Sequence, residues 1–391
     1  MYLDEATAIS HIRGGHELIR LRGGADTLER LVRRVISWCE YHSCAAHQLR
    51  PMLAPIPPPA PWGSSCSSSC SSSPSSPSSS SSTPTTSSRP SPFPQAFVSL
   101  VSAAHARTAA HLPPPPPPSP APVVSNGRHL ISRIFVALTL VGTAISAAWQ
   151  PAFQAYSPAK EAAAAVLDDA LYAVLVEVAR LHQEEQKQQQ EEEQQQQKKK
   201  DDDDDDGDGA GGDEDDEEEE DDGGPAQWAH AVLLHAAHAY LWAALSDLPA
   251  SPHMHDAFLT RLRGALEAGG AAHGAPVELS GGGLSAGWMW RPCSSSNGTR
   301  AIVVAAGPMD AEALMWVLAV GWFLADKRRA MYGGGEEMLG WFADRVGELL
   351  GVVGVCERES AVGMVRDFPG TDAFRVKWRA LLREEKFCGL S

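Results

Sequence analysis

Three low-complexity stretches divide this sequence and limit how much of it can fold. Residues 63–92 are almost entirely Ser, Thr and Pro, residues 113–118 are an unbroken proline run, and residues 201–222 contain only Asp, Glu, Gly and one Ala. Such segments carry too little apolar surface to offset the conformational entropy lost on ordering, about 1–2 kcal/mol per residue for the backbone. We therefore expect long disordered inserts in an otherwise folded chain.

Between the inserts, apolar residues recur with the period of amphipathic helices, which predicts an irregular all-α domain. The predicted pieces are a helical hairpin at residues 4–50, a disordered Ser/Pro-rich insert at 51–122 that contains a short helix at 95–111, a helical segment at 123–182, a Gln/Glu/Lys tract with an acidic disordered insert at 183–227, a helical segment at 228–268, a Gly/Ser-rich loop at 269–300, and C-terminal helices of the same domain at 301–387.

Two apolar runs bear on whether the chain enters a membrane. The strongly apolar part of residues 134–149 spans about 16 residues, whereas crossing a bilayer takes about 20. Residues 313–325 carry no charge and are apolar on every helical face. We predict that both runs are buried helices, the second at the centre of the fold, and keep a membrane anchor through residues 134–149 as an alternative. Residues 301–306 are predicted either as a short strand or as the lead into the helix that begins near Asp310.

The acidity of the chain resides in one segment. The whole sequence has 49 acidic and 32 basic residues, a net charge of −17. Residues 201–222 contribute 12 Asp and 5 Glu, so the remainder is neutral, with 32 residues of each sign. Without a basic excess, direct nucleic-acid binding by this chain is not expected. The acidic segment is either a solvated spacer or an arm for basic protein partners.

No group of residues predicts a catalytic, cofactor or metal site, and we expect no enzyme. The seven cysteines are scattered, which favours free thiols in a reducing compartment. His235 and His238 could share a helix face, but no Cys, Asp or Glu lies within the same two turns. We interpret these histidines, with nearby His255, as hydrogen-bonded or facing solvent.

The N-terminal hairpin is the clearest local pattern. Gly23 and Gly24 end the first helix, since glycine can take the left-handed conformation, and Asp26 is predicted to cap the second. An apolar stripe at helical spacing then predicts the buried face of the second helix. It consists of Leu28, Leu31, Val32, Val35, Ile36 and Cys39.

The hairpin residues resemble a pattern in the helical regulatory region of fungal transcription-factor-like proteins, which are related to the zinc binuclear cluster regulators. The residues that carry the resemblance, as structural signature positions, are His11, Arg13, Gly14, Leu21, Arg22, Gly23, Gly24, Leu31, Arg33, Arg34 and Trp38. Residues 313–383 are more loosely similar. Gly15 and His16 depart from the pattern, and this chain contains no six-cysteine DNA-binding cluster.

The resemblance implies a transcription-regulator-like protein of the nucleus, with the cytoplasm as the alternative, that acts through helix packing and protein partners. The absence of the cluster implies either that the gene extends upstream of Met1 or that this relative has lost the DNA-reading half. A protein-interaction or structural protein with no transcriptional role is the alternative. The sequence assigns no partner identity, oligomeric state or cofactor.

Overall fold

The computed structural model describes residues 5–56, 92–112, 126–154, 158–203, 224–245, 251–271, 290–292, 302–304, 307–384 and 387. Within these residues the chain folds into twelve α-helices and three very short strands, so the predicted all-α class is confirmed. The central parts of the two predicted disordered inserts, and most of the predicted Gly/Ser-rich loop, lie outside the described residues.

Each piece that the sequence predicts to be helical contains helices in the described residues. In chain order they are α1 (Glu5–Leu21), α2 (Arg30–His47), α3 (Gln95–His111), α4 (Asn126–Ala144), α5 (Gln150–Gln154), α6 (Pro158–Asp203), α7 (Gly224–Tyr240), α8 (Pro252–Ala271), α9 (Ala311–Tyr332), α10 (Glu336–Val353), α11 (Arg358–Met364) and α12 (Asp372–Leu381). α3 places Phe97 and Val101 in the core, so this part of the predicted insert belongs to the folded domain.

Helix α9 is the centre of the fold, as predicted. From Ala313 to Asp326 every residue is buried, and α7, α8, α10, α11 and α12 all pack against it. The contact with α10 is unusually close, because a Cβ atom built on Gly321 would lie 2.1 Å from Cε1 of Phe342. Only a residue without a side chain leaves room for that ring.

The apolar run that begins at residue 134 forms the second half of α4. Its Ile134, Phe135 and Leu138 are buried among the other helices. The prediction that this helix continues to Trp149 is wrong, since α4 ends at Ala144. The amide of Ala147 instead donates to the carboxylate of Asp372 at 2.8 Å, which holds the chain in a turn. None of the described helices is both long and apolar enough to cross a bilayer.

Two further elements complete the architecture. α7 continues into a π-helical turn, Leu241–Leu245, which lies against α4 and α9. The strands β1 (Trp290–Pro292), β2 (Ile302–Val304) and β3 (Gly307–Pro308) form an antiparallel sheet in the order β1-β2-β3. β1 pairs with β2 through Trp290 opposite Val304. Of the two alternatives for residues 301–306, the short strand is therefore correct.

Candidate interaction surface on the N-terminal hairpin

The turn that ends α1 is built from the two predicted glycines. The amide of Gly23 donates to the carbonyl of Arg20 at 3.1 Å, and the amide of Gly24 donates to the carbonyl of Ile19 at 2.9 Å. These two bonds define a Schellman motif, in which Gly23 has φ +99°. The prediction that these glycines stop the first helix is confirmed.

The predicted cap of the second helix is wrong. Residues Ala25–Thr27 form a single 3₁₀ turn, and α2 begins at Arg30, with Glu29 as its N-cap. The carboxylate of Asp26 accepts from Arg33 at 2.8 Å and does not cap the helix. Because α2 begins four residues beyond Asp26, this side chain lies too early in the chain to cap the helix.

Helix α2 is fixed to α6 through one buried carboxylate. Asp168 of α6 accepts from Nε of Arg34 at 2.9 Å and from Nε1 of Trp38 at 2.7 Å. Burial raises the pKa of Asp168, and Arg34 and Trp38 oppose that rise. At the other end of α2, Arg261 of α8 donates to the carbonyls of Ala45 and Ala46 at 2.9 and 2.8 Å. The helix is thus held by polar anchors near both ends.

A second buried carboxylate ties the following segment to α2. Glu40 is buried, and it accepts from the ring of His16 at 3.1 Å and from the amide of Leu53 at 3.2 Å. The hydroxyl of Tyr41 donates to the carbonyl of Leu53 at 3.0 Å. These contacts join α1, α2 and the chain after α2 into one rigid unit.

The apolar stripe predicted to be the buried face of α2 lies largely at the surface, and that prediction is wrong. Leu31, Val32 and Val35 are 65%, 44% and 55% exposed; we call these three residues the α2 stripe. On α1, Leu18 and Leu21 are also mostly exposed. The face that α2 buries instead contains Ser37, Glu40, Tyr41, Cys44 and Ala45. The polar anchors, and not the stripe, decide which face turns inward.

A shallow groove of 190 Å³ runs between α1 and α2 beside the α2 stripe. We call it the hairpin groove. Its walls are mostly apolar, with Ile12 and Ile19 from α1, Ile36 and Cys39 from α2, and Leu53 from the segment after α2. Grooves of this kind accept apolar side chains from a partner.

The signature residues divide into anchors and exposed positions. Arg34 and Trp38 meet at Asp168, and Gly23 and Gly24 form the turn. Arg33 pairs with Asp26 and has 17% of its side chain exposed. The remaining signature residues lie on the surface or at the groove. His11 lines the hairpin groove, and Arg13, Gly14, Leu21, Arg22 and Leu31 are exposed. Among the described residues, no carboxylate pairs with Arg13 or Arg22.

Two functional carboxylates could not be found from the sequence. Asp168 acts on residues 134 and 130 positions away, and Glu40 lies on the face of α2 that was predicted to be exposed.

A cluster at the junction of α3 and α9 was also missed. The ring of His111 lies 3.0 Å from the Asp310 carboxylate through Nδ1 and 3.0 Å from the Glu312 carboxylate through Nε2. Both ring nitrogens contact carboxylates, so the cluster links α3 to α9.

The histidines of α7 and α8 differ from their interpretation. His238 and His255 are buried, and neither ring nitrogen of either residue has a hydrogen-bond partner among the residues that the structure describes. His238 packs against the ring of Phe258 with 4.7 Å between centroids. Burial, together with the positive charge of Arg261, lowers the pKa of His238 well below its ordinary value. The interpretation as hydrogen-bonded or solvent-facing side chains is therefore wrong for both residues.

Comparison of the chain with protein-family models, with curated proteins and with solved structures gives no match. The resemblance to fungal transcription-factor-like proteins rests on the hairpin residues given above and stays a prediction.

Proposed function

We propose that this chain is a helical interaction module of a transcription-regulator-like protein, and that its N-terminal hairpin binds a protein partner. The observation that carries the proposal is the exposure of the α2 stripe on a helix that is anchored at both ends. Single exposed apolar side chains are ordinary, whereas neighbouring ones on a rigid face mark contact surfaces. Five of the large apolar side chains that are exposed in the described residues fall between Leu18 and Val35.

The chemistry of the partner is inferred from the charges on the hairpin that carries the α2 stripe. Arg13 and Arg22 of the same hairpin are exposed and have no carboxylate partner among the described residues. An amphipathic helix with acidic residues beside its apolar face would cover the stripe and pair with these arginines. The transcriptional and nuclear parts of the proposal are supported by the family resemblance alone.

A tethering experiment tests the proposal. The full chain is fused to a heterologous DNA-binding domain, and transcription of a reporter is measured in fungal cells. We expect the fusion to change reporter output several-fold relative to the DNA-binding domain alone. The double variant Leu31→Ser/Val35→Ser should abolish that change at unchanged protein level. Val376→Ser is the matched control, because Val376 is 63% exposed on α12, away from the hairpin.

A second measurement separates the transcriptional role from binding itself. A photo-crosslinking amino acid at position 35 should capture a defined partner in cells, whereas the same group at position 376 should not. Crosslinking at position 35 without any reporter response, together with exclusion of the tagged chain from the nucleus, would favour an interaction protein with no transcriptional role. Absence of both effects would rule out the hairpin as a contact surface.

A further inference from the structure

A cleft of 220 Å³ opens between α3, α4 and the segment that joins α11 to α12. That segment is firmly held. Nε1 of Trp316 donates to the carbonyl of Pro369 at 2.9 Å, and the amide of Thr371 donates to the hydroxyl of Tyr240 at 2.9 Å. The wall of the cleft is therefore preformed, which lowers the cost of binding a ligand there.

The charged residues that line the cleft leave an excess of positive charge. Three arginines, Arg107, Arg366 and Arg375, face two carboxylates, Asp367 and Asp372. Both carboxylates are engaged, since Asp367 accepts from Arg107 at 2.7 Å and Asp372 accepts from the amide of Ala147 at 2.8 Å. The balance of one positive charge fits a ligand with one negative charge.

Guanidinium donors remain for such a ligand. Arg366 is 74% exposed along its side chain, and its closest carboxylate contact is 3.9 Å to Asp367. Arg375 uses Nε and one terminal nitrogen in long contacts of 3.4 Å to the carbonyls of Gly370 and Arg366. A carboxylate between Arg366 and Arg375 would gain charge-assisted hydrogen bonds that no described carboxylate makes with these two side chains.

The opposite wall offers acceptors. Thr139 and Thr143 lie on successive turns of α4, Ser146 lies in the turn that follows the helix, and all three line the cleft. Each hydroxyl donates its proton to a carbonyl of the preceding turn, at 2.8, 2.7 and 2.7 Å respectively. Because a hydroxyl has one proton and two lone pairs, each of these oxygens can still accept a hydrogen bond from a ligand while it donates to its carbonyl. A ligand that carries hydroxyl donors therefore suits this wall.

We propose that the cleft binds a small monoanionic organic acid that carries hydroxyl groups. Its carboxylate lies between Arg366 and Arg375, its hydroxyls donate to Thr143 and Ser146, and its carbon chain rests on the apolar floor beside Phe368. This site is separate from the hairpin, so it stands whether or not the hairpin binds a partner.

Isothermal titration of the full chain with gluconate tests the site. Sorbitol has similar hydroxyls without the carboxylate, and hexanoate has the carboxylate without the hydroxyls, so each removes one half of the recognition. We expect gluconate to bind at least about 10-fold more tightly than either compound, as the loss of charge-assisted hydrogen bonds predicts. Inorganic phosphate should also bind more weakly, since it cannot span both walls.

Substitutions on each wall test which side chains bind the ligand. Arg366→Gln should weaken gluconate binding about 10-fold or more, and Arg379→Gln, which removes an exposed arginine of α12 that does not line the cleft, should leave it unchanged. Thr143→Val keeps the shape of the side chain and removes its acceptor. It should weaken gluconate several-fold while leaving the weaker binding of hexanoate unaltered.

A substitution that fills the cleft tests whether gluconate binds inside it. A Cβ atom on Gly142 would meet its nearest neighbours at 3.8 and 4.0 Å, so Gly142→Ala fits the fold. The longer side chain of Gly142→Leu would occupy the cleft and should abolish gluconate binding, whereas Gly142→Ala should retain it. Equal affinities for gluconate, sorbitol and phosphate, or equal effects of Arg366→Gln and Arg379→Gln, would overturn the proposal.

Discussion

The indole Nε1 of Trp38 donates a 2.7 Å hydrogen bond to Oδ1 of Asp168, across a separation of 130 residues in the sequence. The same carboxylate accepts from Nε of Arg34 at 2.9 Å and is itself buried, with 8% of its side chain exposed. A buried carboxylate is stabilised only when its oxygens are hydrogen-bonded or paired. Asp168 is thus both costly to bury and the residue that orients the hairpin on the domain.

Replacing Asp168 should therefore loosen the hairpin. We expect Asp168→Ala to lower the free energy of unfolding by about 1–3 kcal/mol, because it leaves the Trp38 indole and the Arg34 guanidinium without their acceptor. Urea denaturation gives the loss, and hydrogen exchange should show α2 amides opening before those of α9. Asp169→Ala is the matched control: Asp169 forms a more exposed pair with Arg133, so its loss should cost less than about 1 kcal/mol. Equal losses for both variants would contradict the anchoring role.

The hairpin shows how far the sequence determines this fold. Helix periodicity predicted α2 and the glycine stop after α1, because both are local properties. Periodicity could not identify the covered face of α2, since the partner that decides it, Asp168, lies 134 residues from Arg34. Helix α9 is the opposite case. Its residues 313–325 are apolar on every face, so no choice of face had to be made and burial followed directly.

The same limit applies to the candidate surfaces. The signature residues of the hairpin were accessible to pattern recognition, because they are close in sequence. The cleft between α3 and α4 could not be recognised in this way, since Arg107 and Arg366 are far apart in the sequence and neither belongs to a local motif. Their proximity depends on how the segment after α11 is held by Trp316 and Tyr240.

Exposure of the α2 stripe has a direct consequence for stability. Leu31→Ala should change the free energy of unfolding by less than about 0.5 kcal/mol, as is usual for exposed positions. Leu175→Ala, the same change at a side chain that is 1% exposed on α6, should cost about 2–5 kcal/mol through lost burial and the cavity left behind. Thermal and urea denaturation of both variants measure the difference. A cost at Leu31 comparable to that at Leu175 would mean that the stripe is buried after all.

The close approach of α9 and α10 predicts that alanine substitutions at two glycines have opposite effects on stability. Gly321→Ala would place its Cβ atom within 2.1 Å of the Phe342 ring, which is fully buried and cannot move away freely. Overpacking of this kind typically costs about 1–3 kcal/mol. Gly340→Ala on α10 meets nothing within 4 Å and should stabilise the chain by about 0.5–1 kcal/mol, as alanine is the better helix former.

The double variant Gly321→Ala/Phe342→Leu tests the cause. If the clash with the ring is responsible, the smaller side chain should recover part of the loss, giving a favourable coupling energy in the double-mutant cycle. Additive losses would point to a backbone effect at Gly321 and contradict the packing explanation.

The buried histidines make stability depend on pH in a predictable direction. Burial and the nearby charge of Arg261 lower the pKa of His235 to about 4, and the same causes lower that of His238 well below its ordinary value. In the unfolded chain both rings return to about 6.5. Between these limits the unfolded state binds more protons than the folded state. The stabilising contribution of the neutral histidines is therefore complete above pH 6.5 and is lost as the pH falls towards 4.

Removing one of these rings should reduce that dependence. His238→Leu deletes two nitrogens that have no hydrogen-bond partner in the described part of the chain, and it keeps a side chain of similar size, so at pH 7 it should be neutral or stabilising. As the pH falls below 6.5, its advantage over the wild type should grow by up to about 1.4 kcal/mol per pH unit, the linkage value for one proton. Urea denaturation at pH 7.0, 6.0 and 5.0 gives the difference at each pH. The variant His11→Leu removes an exposed histidine of α1 and should follow the wild-type curve. A constant difference between His238→Leu and the wild type over this range would show that His238 accepts its proton in the folded state, which its burial against Phe258 and the positive charge of Arg261 should prevent.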